Sequence, residues 1–134
     1  MGEQNVNKLN SKEELQLFVK HLLNDVKALE TMLADDWFET DIMRIGAEQE
    51  MFMVDDKYFK PALIAVEVLE EMKEFDWVGT ELAKFNLETN LSPREFVGDC
   101  FSLMEKENND QLGVIKEHLK KYGAKIVLTG ILPT

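Results

Sequence analysis

The sequence predicts an α+β domain with a small antiparallel or mixed sheet of about three strands and helices packed on one face of that sheet. Apolar and polar residues alternate at 44–54 and at 82–90, which is typical of half-buried strands, and a third strand is predicted at 125–130. Segments with apolar residues at helical spacing separate these strands. The 134 residues suffice for one domain with a modest core.

The first predicted element is an amphipathic helix over residues 11–34. Ser11 followed by Glu14 forms a capping box. Apolar residues then recur at alternating spacings of four and three, a heptad pattern that we call the seam: Leu15, Val19, Leu22, Val26, Leu29 and Leu33. The seam needs a partner. Another helix of this chain is the expected one, because a heptad run this short only marginally supports a free coiled coil, and the same helix of a second copy is the alternative. Residues 1–10 are polar and are predicted to form a disordered tail.

Two further helices are predicted from local signals. Pro61 is expected in the first turn of one helix. Ser92, followed by Pro93 and by Glu95, is expected to be the N-cap of another. Gly123 is expected to end that element in a left-handed conformation.

Carboxylates share one face of the first two strands. A period of two places Glu48 and Glu50 on the same face of the first strand, and Glu88 lies on the polar face of the second. Like charges that face one another across strands oppose folding by roughly 0.2 to 1 kcal/mol per pair, unless a cation lies between them. Magnesium binds such oxygens. A solvated sheet face that needs no cation is the simpler interpretation, and spacing alone leaves both open.

Composition excludes several classes of function. The net charge of −11 argues against nucleic acid as a partner, because phosphate binding requires clustered Lys and Arg. There is neither a signal peptide nor an apolar run long enough to cross a membrane, so we expect no membrane partner. Cys100, the single cysteine, excludes an internal disulfide and suits the cytoplasm, where we expect the protein to act. Burial is the expected role of Cys100, and no catalytic residue is assigned.

Three blocks in order resemble the start of the glutamate–cysteine ligase family 2 proteins, the carboxylate–amine ligase group. They are GAEQEMFMVD at 46–55, NLETNLSP at 86–93 and GAKIVLTGILP at 123–133. The resemblance covers residues from about 44 to the end. It implies that 42–134 is the N-terminal part of a ligase-like α+β domain, an incomplete form of the glutamine synthetase-like catalytic fold.

The resemblance implies a metal site and a reaction. In that family an antiparallel sheet carries acidic residues that hold magnesium, or manganese, against ATP. The metal ligands would correspond to Glu48, Glu50, Glu88 and Glu81, although Glu81 has the wrong parity for the second strand and needs a bulge or a loop position. The implied substrates are small molecules: a glutamate-like acid, activated by ATP to an acyl phosphate, and an amine such as that of cysteine.

The last motif departs from the family pattern. Gly130-Ile131-Leu132-Pro133 stands where the family often shows Gly-Thr-His-Pro. The chain also stops just after its third strand, so we expect more sheet to follow and the 134 residues alone to be inactive. The alternative hypothesis is a non-catalytic interaction or regulatory module that forms a homodimer through the N-terminal helix or through an open sheet edge.

Overall fold

The computed structural model describes Lys8 and residues 10–132, which form an α+β fold with three α-helices and two small antiparallel sheets. The predicted fold class is therefore confirmed. The predicted tail at 1–10 lies outside the described residues, apart from Lys8 and Asn10. The elements are α1 (Lys12–Ala34), β1 (Arg44–Ile45), β2 (Glu48–Asp55), α2 (Ala65–Glu71), β3 (Val78–Thr80), β4 (Asn86–Asn90), β5 (Arg94–Glu95), α3 (Cys100–Leu119), a 3-10 turn (Lys120–Tyr122) and β6 (Ala124–Val127).

The chain divides into two compact units at Met43, and α1 belongs to the first. Its start confirms the predicted capping box: Ser11 Oγ accepts the N–H of Glu14 at 3.1 Å, and Glu14 Oε2 accepts the N–H of Ser11 at 3.1 Å. No residue of α1 is buried. Among the described residues, no helix is long and apolar enough to cross a bilayer.

The second unit is organised around β2, the central strand of a sheet with the order β3-β4-β2-β6. All three strand pairs are antiparallel. This sheet has one strand more than expected, because β3 is a separate strand that ends at Thr80. The segment 82–85 forms bends and a turn, so the second predicted strand was wrong before Asn86. A two-stranded sheet pairs β1 with β5.

The core lies on one face of this sheet, under α2 and α3. Alternate residues of β2 supply Met51 and Met53, and β4 supplies Leu87. The helices and the C-cap of α2 contribute the other large members of the same cluster, which are Val68, Met72, Leu112, Ile115 and Leu119. On the opposite face of β2, Phe52 and Val54 are buried as well. Only the Glu48–Glu50 end of that face is therefore exposed.

Strand pairing overrides two of the predicted helix starts. Pro61 forms an isolated bridge with Val54, and α2 begins only at Ala65. Arg94 and Glu95 pair with β1, while α3 begins at Cys100. The expected left-handed end is confirmed, since Gly123 has φ 59° and caps the 3-10 turn.

Candidate metal centre

Two of the predicted carboxylates meet across the sheet. β2 and β4 pair with Glu50 opposite Glu88, and Glu48 opposite Asn90. Because residues directly opposite on antiparallel strands project to the same face, the two glutamates are neighbours. Glu50 is exposed, whereas Glu88 is only 1% exposed. Burying a charged carboxylate beside a second one costs folding free energy, unless one of them binds a proton or a cation lies between them.

Glu81 reaches the same place from a third segment. It directly follows β3, which pairs with β4 so that Gly79 lies opposite Glu88. Glu81 stands two residues beyond Gly79, in the irregular segment between β3 and β4. The parity that excluded it from the second strand therefore does not apply, because Glu81 belongs to the end of a different strand.

One carboxylate oxygen from each of Glu50, Glu81 and Glu88 lies within 4.8 Å of the other two, and we call these residues the three-glutamate cluster. Magnesium binds oxygens at about 2.0–2.1 Å, so opposite ligands stand roughly 4.2 Å apart, and calcium, at about 2.3–2.6 Å, places them roughly 5 Å apart. Because 4.8 Å is an upper limit on the three separations, the cluster is of a size that either cation could bind. A set of oxygen donors alone favours magnesium, calcium or manganese.

The electrostatics of the cluster also suit a cation. A hydrogen bond with Glu88 is the largest cause that raises the pKa of Glu81, and burial adds to it. The N–H of Leu82 lowers that pKa, and the charges of Glu50 and Glu88 each raise it by a smaller amount. The folded protein therefore binds a proton at Glu81 more tightly than the unfolded chain does, and a divalent cation could offset the same repulsion.

Two amide side chains that the sequence did not assign to the site support it. Asn90 Nδ2 donates to Glu88 Oε1 at 3.4 Å, and Gln111 Nε2 donates to the carbonyl of Asn90 at 3.2 Å. Gln111 is buried and lies four residues before Ile115, on the core face of α3. A polar residue at that position of an apolar helical stripe is the signal that could have identified it.

A tether fixes the segment that leaves the site after β4. Glu107 Oε1 accepts the N–H of Ser92 at 3.0 Å and its hydroxyl at 2.7 Å, and Glu107 Oε2 accepts Arg94 Nη2 at 2.7 Å. Burial alone would raise the pKa of Glu107, but these bonds outweigh it and lower that pKa. α3 thus holds the chain next to Asn90 in place.

Glu48 lies outside the three-glutamate cluster and borders open space. One cavity of about 400 Å³ includes Gly46, Asn90 and Leu91 in its lining, and another of about 490 Å³ reaches the cluster through Glu50. The lining of the second cavity is Glu48, Gln49, Glu50, Leu128, Thr129 and Gly130, with no lysine or arginine. There is room for a polyatomic ligand beside the cluster. If that ligand carried phosphate groups, the basic side chains that bind them would have to come from outside this lining.

Comparisons with protein-family models, with curated proteins and with solved structures found no match for this chain. The interpretation of the site therefore rests on its geometry and on the resemblance of the three sequence blocks.

Proposed function

We propose that Glu50, Glu81 and Glu88 hold a divalent cation, and that this chain is the N-terminal part of an ATP- and magnesium-dependent carboxylate–amine ligase. The observation that carries the proposal is the convergence of three carboxylates, from β2, from β4 and from the segment after β3, within 4.8 Å. Carboxylates that repel one another are retained at a cost to folding, and a cation would offset that cost.

Glu81 provides the strongest support. The family resemblance named it as an acidic ligand, although the strand pattern gave no reason to bring it near Glu88. In the fold it lies beside Glu50 and Glu88. The resemblance and the fold thus point to the same residue, Glu81, although the strand that brings it to the cluster was not predicted.

The proposed chemistry is phosphoryl transfer followed by acyl transfer. A carboxylate oxygen of a glutamate-like acid attacks the γ-phosphorus of ATP, and ADP leaves. An amine nitrogen then attacks the carbonyl carbon of the acyl phosphate, phosphate leaves and the amine loses a proton. A cation bound by the cluster would supply charge neutralisation for the phosphate oxygens. Glu48 would be available for a second ion at the edge of the same cavity.

Cation binding is the first test. Mn²⁺ titrated into the chain and followed by electron paramagnetic resonance should report one site, and Mg²⁺ should compete for it. Glu50→Gln, Glu81→Gln and Glu88→Gln should each weaken binding by about tenfold or more, as loss of a supporting ligand does in metal sites. Glu74→Gln, an exposed substitution away from the cluster, is the control. Equal affinity in all four variants would contradict the site.

Ligase activity is tested on the protein at its native length, which an immunoblot of the source cells would establish. Hydroxylamine traps acyl phosphates, so glutamate, ATP and Mg²⁺ should yield a hydroxamate with the wild type and much less with Glu88→Gln. The 134 residues alone should yield none, because phosphoryl transfer needs donors all round the phosphates. Glutamate-dependent ATP hydrolysis by the 134 residues, abolished by Glu48→Gln, would contradict this view.

The replaced Thr-His pair favours a second candidate, a non-catalytic interaction module. Ile131 is exposed where that polar pair is expected, next to a cavity formed partly by Leu128 and Gly130. The double substitution Ile131→Thr/Leu132→His in the native-length protein separates the two candidates. If only the substituted protein forms hydroxamate, the natural chain has kept the carboxylates without the activity.

A further inference from the structure

The seam of α1 is an apolar surface that the other residues of its own unit leave exposed. Its six residues keep between 42% and 61% of their surface exposed, and no residue of the helix is buried. At 23 residues, α1 is about 34 Å long. Helices of this composition in water owe most of their stability to the packing of such a face, so the seam needs an occupant.

The residues of the seam indicate which occupant fits. In the heptad notation abcdefg, the a positions of the seam are Val19, Val26 and Leu33, and the d positions are Leu15, Leu22 and Leu29. β-Branched residues at a with leucine at d favour a parallel two-stranded coiled coil over larger assemblies. Valine occupies two of the three a positions and leucine all three d positions, so the seam has the side-chain pattern of a two-stranded coiled coil, whose second strand a second copy of α1 can supply.

The apolar surface is wider than the seam. Phe18 and Leu23, at the positions that flank the seam, are also half or more exposed. Together with the seam they make eight large apolar side chains exposed along a helix about 34 Å long, and a contiguous apolar patch of this kind marks an interaction surface.

We propose that α1 is a dimerisation helix that pairs in parallel with α1 of a second copy of this chain. This inference is independent of the proposed metal site. In a parallel pair, Asp25 at one flanking position faces Glu30 of the second copy. These like charges oppose association and keep the dimer reversible, and salt that screens them strengthens it.

Analytical ultracentrifugation over a broad concentration range tests the dimer. The mass should rise with concentration from 15.5 kDa towards twice that value. Leu22→Asp should weaken dimerisation by about tenfold or more, since it places a charge in the seam. Leu17→Asp makes the same change on the outer face of α1, where the residue is equally exposed, and should leave the dimer intact. Circular dichroism checks that both variants keep the helix.

A monomer at every concentration would overturn the proposal. Equal loss of the dimer in Leu17→Asp and Leu22→Asp would overturn it as well. Mn²⁺ binding should be unchanged in Leu22→Asp, so failure of the dimer is distinguishable from failure of the metal site.

Disulfide cross-linking tests the orientation. In a Cys100→Ser background, Val26→Cys should cross-link on oxidation, because a parallel pair brings the two copies of residue 26 together at the helix interface. Leu17→Cys, on the outer face, is the control. Asp25→Lys should tighten the parallel dimer a few-fold, since it faces Glu30 of the second copy. A dimer that neither cross-links through residue 26 nor responds to Asp25→Lys is not parallel.

Discussion

The helix α1 and the sheet unit that begins at Arg44 are ordered for different physical reasons. The sheet unit buries a continuous apolar cluster between β2, β4, α2 and α3, whereas α1 buries no residue. α1 has its capping box, its i→i−4 bonds and many good helix formers. Substitutions should therefore unfold the sheet unit through lost packing, and should affect α1 through its cap or its partner.

The largest expected effect is Leu119→Ala in the core. Leu119 is fully buried, so its truncation should lower the free energy of unfolding by about 2–5 kcal/mol. Leu22→Ala makes the same chemical change at an exposed position of α1 and should change the unfolding of the sheet unit by less than about 0.5 kcal/mol. Urea denaturation followed by Trp77 fluorescence, in a Trp37→Phe background, measures both. Equal losses would mean that α1 and the sheet unit unfold as one cooperative structure.

Removal of the tether should have the next largest effect. Glu107→Ala leaves Ser92 and Arg94 without their carboxylate and should cost about 1–3 kcal/mol. The loss should depend on pH in a definite direction. The folded state lowers the pKa of Glu107, so the stabilisation is present above its unfolded value of about 4.3 and disappears as pH falls through the folded value.

The control for this prediction is Glu105→Ala, an exposed position on the same helix. It should unfold at the wild-type urea concentration at every pH. If Glu107→Ala is destabilised by the same amount at acidic and neutral pH, the charge of Glu107 does not contribute and its packing alone matters.

These two regions also differ in how far the sequence predicts them. α1 follows from signals within the helix itself, and its start and cap were predicted from Ser11 and Glu14. In the sheet unit the same kind of signal at Ser92 predicted a helix, because residue preferences describe only local backbone energies. Pairing of Arg94 with Ile45 and the bonds to Glu107 are long-range and override them.

Only part of the site was predictable, because the sequence pattern describes each strand but not the contacts between distant strands. The two-residue period placed Glu48 and Glu50 on one face, away from the apolar layer of β2. The register that sets Glu50 against Glu88 depends on where β4 begins, and local sequence gave its start incorrectly. Glu81 enters through β3, which the sequence did not reveal, and Gln111 acts from a helix 21 residues after Asn90. Contacts between distant segments were the part that pattern alone could not supply.

A smaller effect is expected at the cap of α1. Ser11→Ala should lower the stability of the helix by about 0.5–2 kcal/mol, because the N–H of Glu14 loses its acceptor. Hydrogen exchange should show faster exchange in the first turns of α1 and no change in β2. Ser102→Ala, an exposed serine within α3, is the control. Faster exchange in β2 would show that the two regions are energetically coupled.

The smallest effect, and the one opposite in sign, is expected for Glu81→Gln without metal. The folded state raises the pKa of Glu81, chiefly through the hydrogen bond with Glu88, so the folded protein binds this proton more tightly than the unfolded chain does. Stability should then fall as pH rises from the unfolded value to the raised one, and the deficit should persist at neutral pH. Glutamine keeps a donor for Glu88 without the charge, so Glu81→Gln should unfold at a higher urea concentration than the wild type at pH 7. Glu74→Gln should not.

Added Mg²⁺ should stabilise the wild type and reverse this order, because a ligand that binds only the folded state adds to its stability. A variant that is less stable than the wild type at pH 7 without metal would mean that Glu81 is retained for the fold. A variant that is more stable than the wild type without metal, and that is no longer stabilised by Mg²⁺, would mean that the protein keeps Glu81 in order to bind the cation, at a cost to its stability.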